Sequence, residues 1–215
     1  MTTQISQFIN LIGQGTKPNM FAIDIAWPTD LGSGNASPSG SEKDLVDLLC
    51  KSAALPASAL GVIEVPFRGR TVKISGDRTF DTWSPTFFND KDMKVRSYFE
   101  QWLESMNTHN GNNAPKFRPS TTDGGYMATV RVKQLEKNAT DKGAIIREYT
   151  LHHAFPTNVS QIDLGYDSND QISEFSVEFQ YSYWTVEKPT PTSITGAAIA
   201  GIAGTTNLIE RESTI

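Results

Sequence analysis

Hydrophobic positions change period several times along the chain. Ile5, Phe8, Ile9 and Ile12 recur at helical spacing until Gly13 and Gly15 interrupt them, which predicts a short amphipathic helix. Phe21, Ile23, Ile25 and Trp27 then alternate with Ala22, Asp24 and Ala26, the period of a half-buried strand, and Pro28 stops it. Residues 28–42 are Gly, Ser, Pro and Asn with little apolar content and read as an exposed loop. The next stretch is ambiguous. Leu45, Val46, Leu48 and Leu49 make a helical face, yet the chain runs on into Pro56, which cannot continue a helix; periodicity favours a short helix. Ile63 and Val65 on one side of Arg68-Gly69-Arg70, and Val72 and Ile74 on the other, predict a long hairpin over 61–75. Pro66 has no amide donor, so this hairpin belongs at a sheet edge, as an arm able to reach a neighbouring subunit.

Phe80, Thr82, Ser84 and Thr86 form a weaker strand pattern closed by Asn89 and Asp90. The clearest helix follows, with Asn89 as cap, Asp92 three residues on, and Val95, Phe99, Trp102, Leu103 and Met106 along one face. A second loop occupies 107–124. Tyr126, Ala128, Val130 and Val132 share a strand face, as do Ile145, Tyr149, Leu151 and His153 after a polar turn at Lys137 to Gly143. Ile162 and Leu164 lead into a turn at Asp167 to Asp170. Phe175, Val177, Phe179, Tyr181 and Tyr183 then alternate against Glu174, Ser176, Glu178, Gln180 and Ser182, the most regular strand of all. One core helix among about seven strands predicts a mostly antiparallel sandwich or small barrel with a helix at its side. From Lys188 the chain turns to Pro, Thr, Gly and Ala, so 188–215 reads as a tail weakly ordered until bound.

Composition narrows the chemistry. A chain of 215 residues, 38% hydrophobic, has room for one core with loops and a tail. A net charge of -5 is the wrong sign for gripping phosphates, though it suits a protein that lets DNA slide past. With Cys50 as the sole cysteine there is no intrachain disulfide and no cysteine-rich zinc site. Neither a signal sequence nor a run of about 18 apolar residues occurs, so the expectation is a soluble, unexported chain without membrane insertion.

Candidate reactive groups are sparse. Adjacent His152 and His153 on a strand point to opposite faces and cannot share a metal, and His109 stands apart. No nucleophile elbow, P-loop or dinucleotide glycine motif precedes a helix. Asp77, Arg78 and Asp81 read as a charged turn, with a small hydrolase or ligand-binding sandwich built on Asp77, Asp81 and His153 as the rival. The expected answer is no catalytic residue, no metal and no cofactor. Arg68 and Arg70 read as a protein contact or a solvated tip. Glu174 and Glu178 are the wet side of a sheet, or an acidic wall if many copies close into a ring.

Several blocks carry a family resemblance. Gly76 to Trp83, GDRTFDTW, followed by Asn89, Asp90 and the helix to Trp102, resembles tail tube proteins of contractile-tailed, myovirus-type bacteriophages. Phe155 to Trp184, FPTNVSQIDLGYDSNDQISEFSVEFQYSYW, is similar to the C-terminal hairpin of that family, Cys50 to Ser58, CKSAALPAS, to the segment ahead of its projecting hairpin, and Lys17 to Ile25, KPNMFAIDI, to its first strand. Together the blocks run in order from about residue 15 to 186.

The resemblance implies two packed antiparallel sheets with one flanking helix and a projecting hairpin. It implies a 1–187 tube domain carrying the loops 28–42 and 107–124, and a 188–215 tail. It also makes Leu45 to Ser52 a strand, against the periodicity. As function it implies a non-enzymatic subunit of a phage tail, assembled in the host cytoplasm. Six such subunits form a ring, and rings stack helically around a lumen that DNA crosses without specific binding. Sheath, baseplate and tail terminator proteins are the implied partners. A baseplate tube initiator, or the tube of a phage-derived injection device, is the alternative within the family. Val65, Pro66, Phe67, Arg68 and Arg70, with the N-terminal segment, are the candidate contacts between rings; Glu174 and Glu178 are the candidate lumen residues.

Overall fold

The computed structural model describes residues 2–13, 15–28, 37–38, 40–114, 118–121, 125–136 and 145–187. Most of the 28–42 loop, parts of 107–124, the 137–143 turn and the 188–215 tail lie outside the described residues. In chain order the elements are α1 (Thr2–Ile12), β1 (Phe21–Ala26), α2 (Ser41–Leu48), β2 (Cys50–Ser52), β3 (Ala59–Phe67) and β4 (Arg70–Thr79). Then come β5 (Thr86–Phe88), α3 (Lys94–Met106), β6 (Ala128–Leu135), β7 (Ile145–Val159), β8 (Glu174–Gln180) and β9 (Tyr183–Glu187).

Seven strands form one antiparallel sheet along the path β1-β6-β7-β8-β5-β2, with β9 also on β7. The 15-residue β7 is its spine: residues 148–152 pair with β9 and 155–159 with β8. Between them the register slips from Val130↔Leu151 to Ala128↔Ala154, with His153 at φ 57°. That extra residue makes a β-bulge, which lets Leu151 and Ala154, three apart, both face the core and bends the sheet into a half-barrel.

α3 packs into the curve. Its stripe of Val95, Phe99 and Trp102 is wholly buried. Phe99 meets Phe87 at 5.1 Å and Phe179 at 6.0 Å between ring centroids, and Trp102 meets Trp27 at 5.1 Å. The Trp102 indole Nε1 donates to the Tyr126 carbonyl at 2.9 Å, so burying the ring strands no polar atom. Each such ring contributes about 1.5–3 kcal/mol by burial.

Several expectations change. The second sheet is the β3-β4 hairpin, which is exposed along its length, so the two sheets are not packed face to face. Among the described residues three helices stand where the fold implied by resemblance had one flanking helix, and the N-terminal one follows the periodicity of Ile5 to Ile12. The strand assigned to Leu45 to Ser52 by resemblance is helical through Leu48, as periodicity favoured, and extended at Cys50–Ser52. Val46 is wholly buried there, Glu42 and Asp44 occupy the first turn where acids suit the helix dipole, and the Leu49 amide closes on Leu45 O. The weak 80–86 pattern reduces to a bridge at Trp83, ahead of β5. The last alternation breaks at Tyr181-Ser182, and Tyr183 opens β9 opposite His152. Ile162 and Leu164 are in no strand. The α3 cap is Asp90, whose Oδ1 accepts the Val95 amide at 3.2 Å. Asn89 instead donates to Ser173 Oγ, because Met93 in the left-handed region (φ 53°) turns Asp90 over the helix start.

Trp102→Ala is therefore expected to cost about 3–5 kcal/mol in urea unfolding. Asp90→Ala should cost about 1 kcal/mol, while Asp92→Ala stays within about 0.5 kcal/mol.

Candidate functional site

The hairpin turns at Arg68 and Gly69, both with positive φ (46° and 79°), the geometry of a two-residue primed turn. Asn-Gly is the usual choice there; an arginine in the left-handed region is strained, and it stacks its guanidinium 5.3 Å from the Phe67 ring. Register pairs Ile63 with Ile74, Val65 with Val72 and Phe67 with Arg70, so these residues share one face. Glu64, Pro66, Thr71 and Lys73 share the other, with Lys73 and Glu64 ion-paired at 3.4 Å. Thus four of the five sequence-predicted contact residues divide cleanly by face: Val65, Phe67 and Arg70 on the apolar one and Pro66 on the polar one, with Arg68 at the tip.

The root of the hairpin is clamped. Trp83 Nε1 donates to the Ala54 carbonyl at 2.7 Å, and Trp184 Nε1 and Tyr181 OH donate to the Ala57 carbonyl at 3.2 and 3.4 Å. Trp83 also exchanges backbone hydrogen bonds with Phe179 at 3.0 and 2.8 Å, and Phe80 packs 5.9 Å from Tyr181. The three sequence blocks around Ala54, Trp83 and Tyr181 thus meet at one place, the base of the arm.

Glu174 and Glu178 project from β8 on the side opposite Phe175, Val177 and Phe179, away from α3. Glu174 is gripped by Lys51 Nζ at 2.5 and 2.7 Å, so its charge is locally balanced. Glu178 faces Asn158 and has no ion pair among the described residues. Farther along the same sheet Asp24 binds Lys43 (2.7 Å), Arg131 (3.3 Å) and Lys133 (3.6 Å), and Arg131 reaches Glu148 at 3.4 Å. Burial pushes the Asp24 carboxyl up, but hydrogen bonding and charge from Lys43, with Lys133 and Arg131, prevail and hold it below its ordinary value. Asp47, on α2, goes the other way: burial first, then the Asp24 charge, pushes it up to about 7 against the smaller opposing effects of the Lys43 charge and a backbone hydrogen bond from Ile25. Sequence patterning gave no sign of this pair, because Asp24 and Asp47 are joined by how α2 sits on β1.

The other candidates fall apart in space. Asp77 and Asp81 are exposed around the end of β4, whereas His153 sits in the β7 bulge. His152 and His153 both lie against Tyr183, at 4.6 and 5.9 Å between ring centroids, because the bulge removes the strict alternation expected of neighbours. Among the described residues no three His, Cys, Asp or Glu side chains converge to hold a metal. His109 contacts Glu104 at the end of α3. Burial pushes the Cys50 thiol up to about 12, which makes it a poor nucleophile.

A profile of phage tail tube proteins matches residues 16–187. The tail tube protein gp19 of Enterobacteria phage T4 is 31% identical over 172 residues, covering 80% of this chain and 92% of that protein. The tail tube protein of Serratia phage KSP90 is 26% identical over 155 residues, covering 72% and 82%. A chain of the anti-feeding prophage baseplate shares the fold at TM-score 0.52 and 14% identity, covering 79% of this chain and 93% of that one. A chain of the sheath-tube complex of an extracellular contractile injection system does so at 0.51 and 14%, covering 87% and 98%.

Two outcomes test the geometry. Trp83→Phe keeps an aromatic ring but loses the donor and part of the buried indole; it should cost about 1–3 kcal/mol, lower the melting temperature by a few degrees, and speed limited proteolysis at the hairpin root. Asp47 binds its proton more tightly folded than unfolded, so it erodes stability as pH rises from its ordinary 3.8 through about 7. Asp24, held low, adds stability above 3.8 that is lost only as pH falls below that value. Asp47→Asn should therefore raise the urea midpoint at pH 8 and flatten its fall between pH 4 and 7.

Proposed function

The chain belongs to the phage tail tube protein family, and on that premise we propose that six copies close into a ring and that rings stack helically into the inner tube of a contractile tail, the conduit for DNA into the host cell. It is a structural subunit of the virion tail, not an enzyme. The observation that carries the stacking is the hairpin: an arm rigidly clamped at its root, with an apolar face that its own subunit leaves bare. A two-stranded ribbon of that kind is marginal alone and gains stability only against another surface.

Ring closure has support in the sheet. Among the described residues β1, β2 and β9 each pair on one edge, and a ring is a way to cover such edges with those of the next subunit. We place the lumen on the sheet face turned away from α3, with Glu178 as its unbalanced carboxylate and Glu174 beside it, paired to Lys51. A surface of compensated charges with a slight acidic excess repels phosphates weakly and offers them no binding site. The outer surface is assigned to a contractile sheath, and the two ends of the tube to baseplate and terminator proteins.

Negative-stain microscopy of the purified chain at rising concentration, with and without baseplate seeds, is the test. Hollow rods or stacked rings are expected; monomers that persist with seeds present would overturn the reading. Deleting Arg68 to Arg70 should leave folded subunits, with unchanged circular dichroism, that no longer extend tubes, and tubes of normal length from this variant would remove the hairpin from the contact between rings.

A further inference from the structure

Two surfaces of the chain are bare at once. α1 exposes Ile5, Phe8, Ile9 and Ile12 by 53–62%, and no other element packs substantially against it. The hairpin exposes Ile63, Val65, Phe67, Val72 and Ile74 by 42–62% on one shared face, with Val62 exposed on the other. Neither is a stable structure by itself, since an 11-residue helix is below the length that holds in water and a lone hairpin is marginal.

We infer that α1 of one subunit lies across the apolar face of the β3-β4 hairpin of a second copy, a contact that rests on the stacked-ring reading and names its two halves. The dimensions agree. α1 is about 16 Å long at 1.5 Å per residue, and the apolar ribbon from Ile63 to Phe67 runs about 13 Å. α1 has no charged residue, so covering its apolar side desolvates no ionic group of the helix. The charges beside the ribbon, Arg68 and Arg70 at the tip and Lys73 on the far face, meet no like charge from the helix.

Number and size point to a copy of the same chain as the occupant. Each subunit carries one helix and one hairpin, so a homopolymer matches every donor to an acceptor. The nine side chains present on the order of 900 Å² in total, below the standard size of a specific interface. One such contact does not hold a dimer; several repeated around a ring junction act together and hold the junction through avidity. The segment matched by the tube protein profile begins at residue 16, so α1 lies in front of it, whereas the hairpin lies inside it. Gly13 and Gly15, both left-handed at φ 53° and 62°, make the joint between them, a conformation that costs glycine little.

The test uses full-length chains with Cys50→Ser. Phe8→Cys or Ile12→Cys is placed in one chain, and Val65→Cys or Ile74→Cys in another; the two are mixed, assembled into tubes and gently oxidised. At least one pairing should give a disulfide-linked heterodimer enriched about tenfold over the unassembled mixture, and a chain carrying both cysteines should give a ladder of oligomers. A closed monomer from the doubly substituted chain, or no cross-link in tubes that form normally, overturns the proposal while leaving the tube reading intact. Absence of tubes from the unmodified chain overturns both. Ile9→Asp should yield rings that fail to stack; if it forms normal tubes from pure chain and instead loses sheath attachment, the helix serves the sheath and the proposal falls.

Discussion

Three aromatic donors on two carbonyls decide where the arm of this protein points. Trp83, Tyr181 and Trp184 are anchored in the sheet by ring packing, and they reach out to Ala54 and Ala57 in the segment between β2 and β3 that leads into the hairpin. The hairpin has no core of its own, so its direction is inherited from this clamp. The clamp in turn is rigid because Trp83 is bridged to Phe179, whose ring packs against Phe99 and Trp102 of α3. If the arm meets a neighbouring subunit as proposed, such a chain of support from core to tip reduces the ordering cost of that contact.

The same economy appears in what is left uncovered. A sheet bent around α3 satisfies one face completely and leaves the other polar and largely self-paired, through Lys51 with Glu174 and through Asp24 with Lys43, Arg131 and Lys133. Bare apolar surface gathered on one regular element lies outside the half-barrel, on α1 and the hairpin, while Leu164, Tyr166 and Ile172 are exposed in the loop before β8. Under the proposed stacking, separating α1 from the hairpin leaves assembly to weak contacts that matter when many are made together. A mostly apolar outer sheet would favour association in any orientation.

Much of this was legible in the sequence, and the failures have physical causes. The strict alternation of Phe175, Val177 and Phe179 and the stripe Val95, Phe99, Trp102 located the core, because a buried face imposes its period directly. The α2 segment was also readable: Leu45, Val46 and Leu48 at helical spacing outperformed the family pattern, since burial of Val46 is a property of these residues. Tyr183 misled, because alternation cannot show that a chain breaks at Tyr181-Ser182 and pairs with a different part of β7. Nor could it show the His153 bulge, which depends on a register slip against β6. Asp90 as cap was hidden behind the more conventional Asn89, since the choice turns on Met93 adopting the left-handed region.

Of the two carboxylates proposed for the lumen, the geometry separates what the sequence treated alike. Glu174 and Glu178 occupy equivalent places in the alternation, four residues apart on one strand. Register puts Glu174 opposite Phe88 and within reach of Lys51 on the edge strand β2, while Glu178 lies opposite Asn158 toward the sheet centre. If ring closure seats a neighbour's strand along β2, the Lys51-Glu174 pair falls at the seam between subunits, where a balanced pair tolerates loss of water better than a lone charge. Glu178 lies farther from that edge and has no ion pair among the described residues. Under the proposed lumen assignment the acidic character of the bore comes from Glu178, one unpaired carboxylate per subunit, whose charge disfavours phosphate contact.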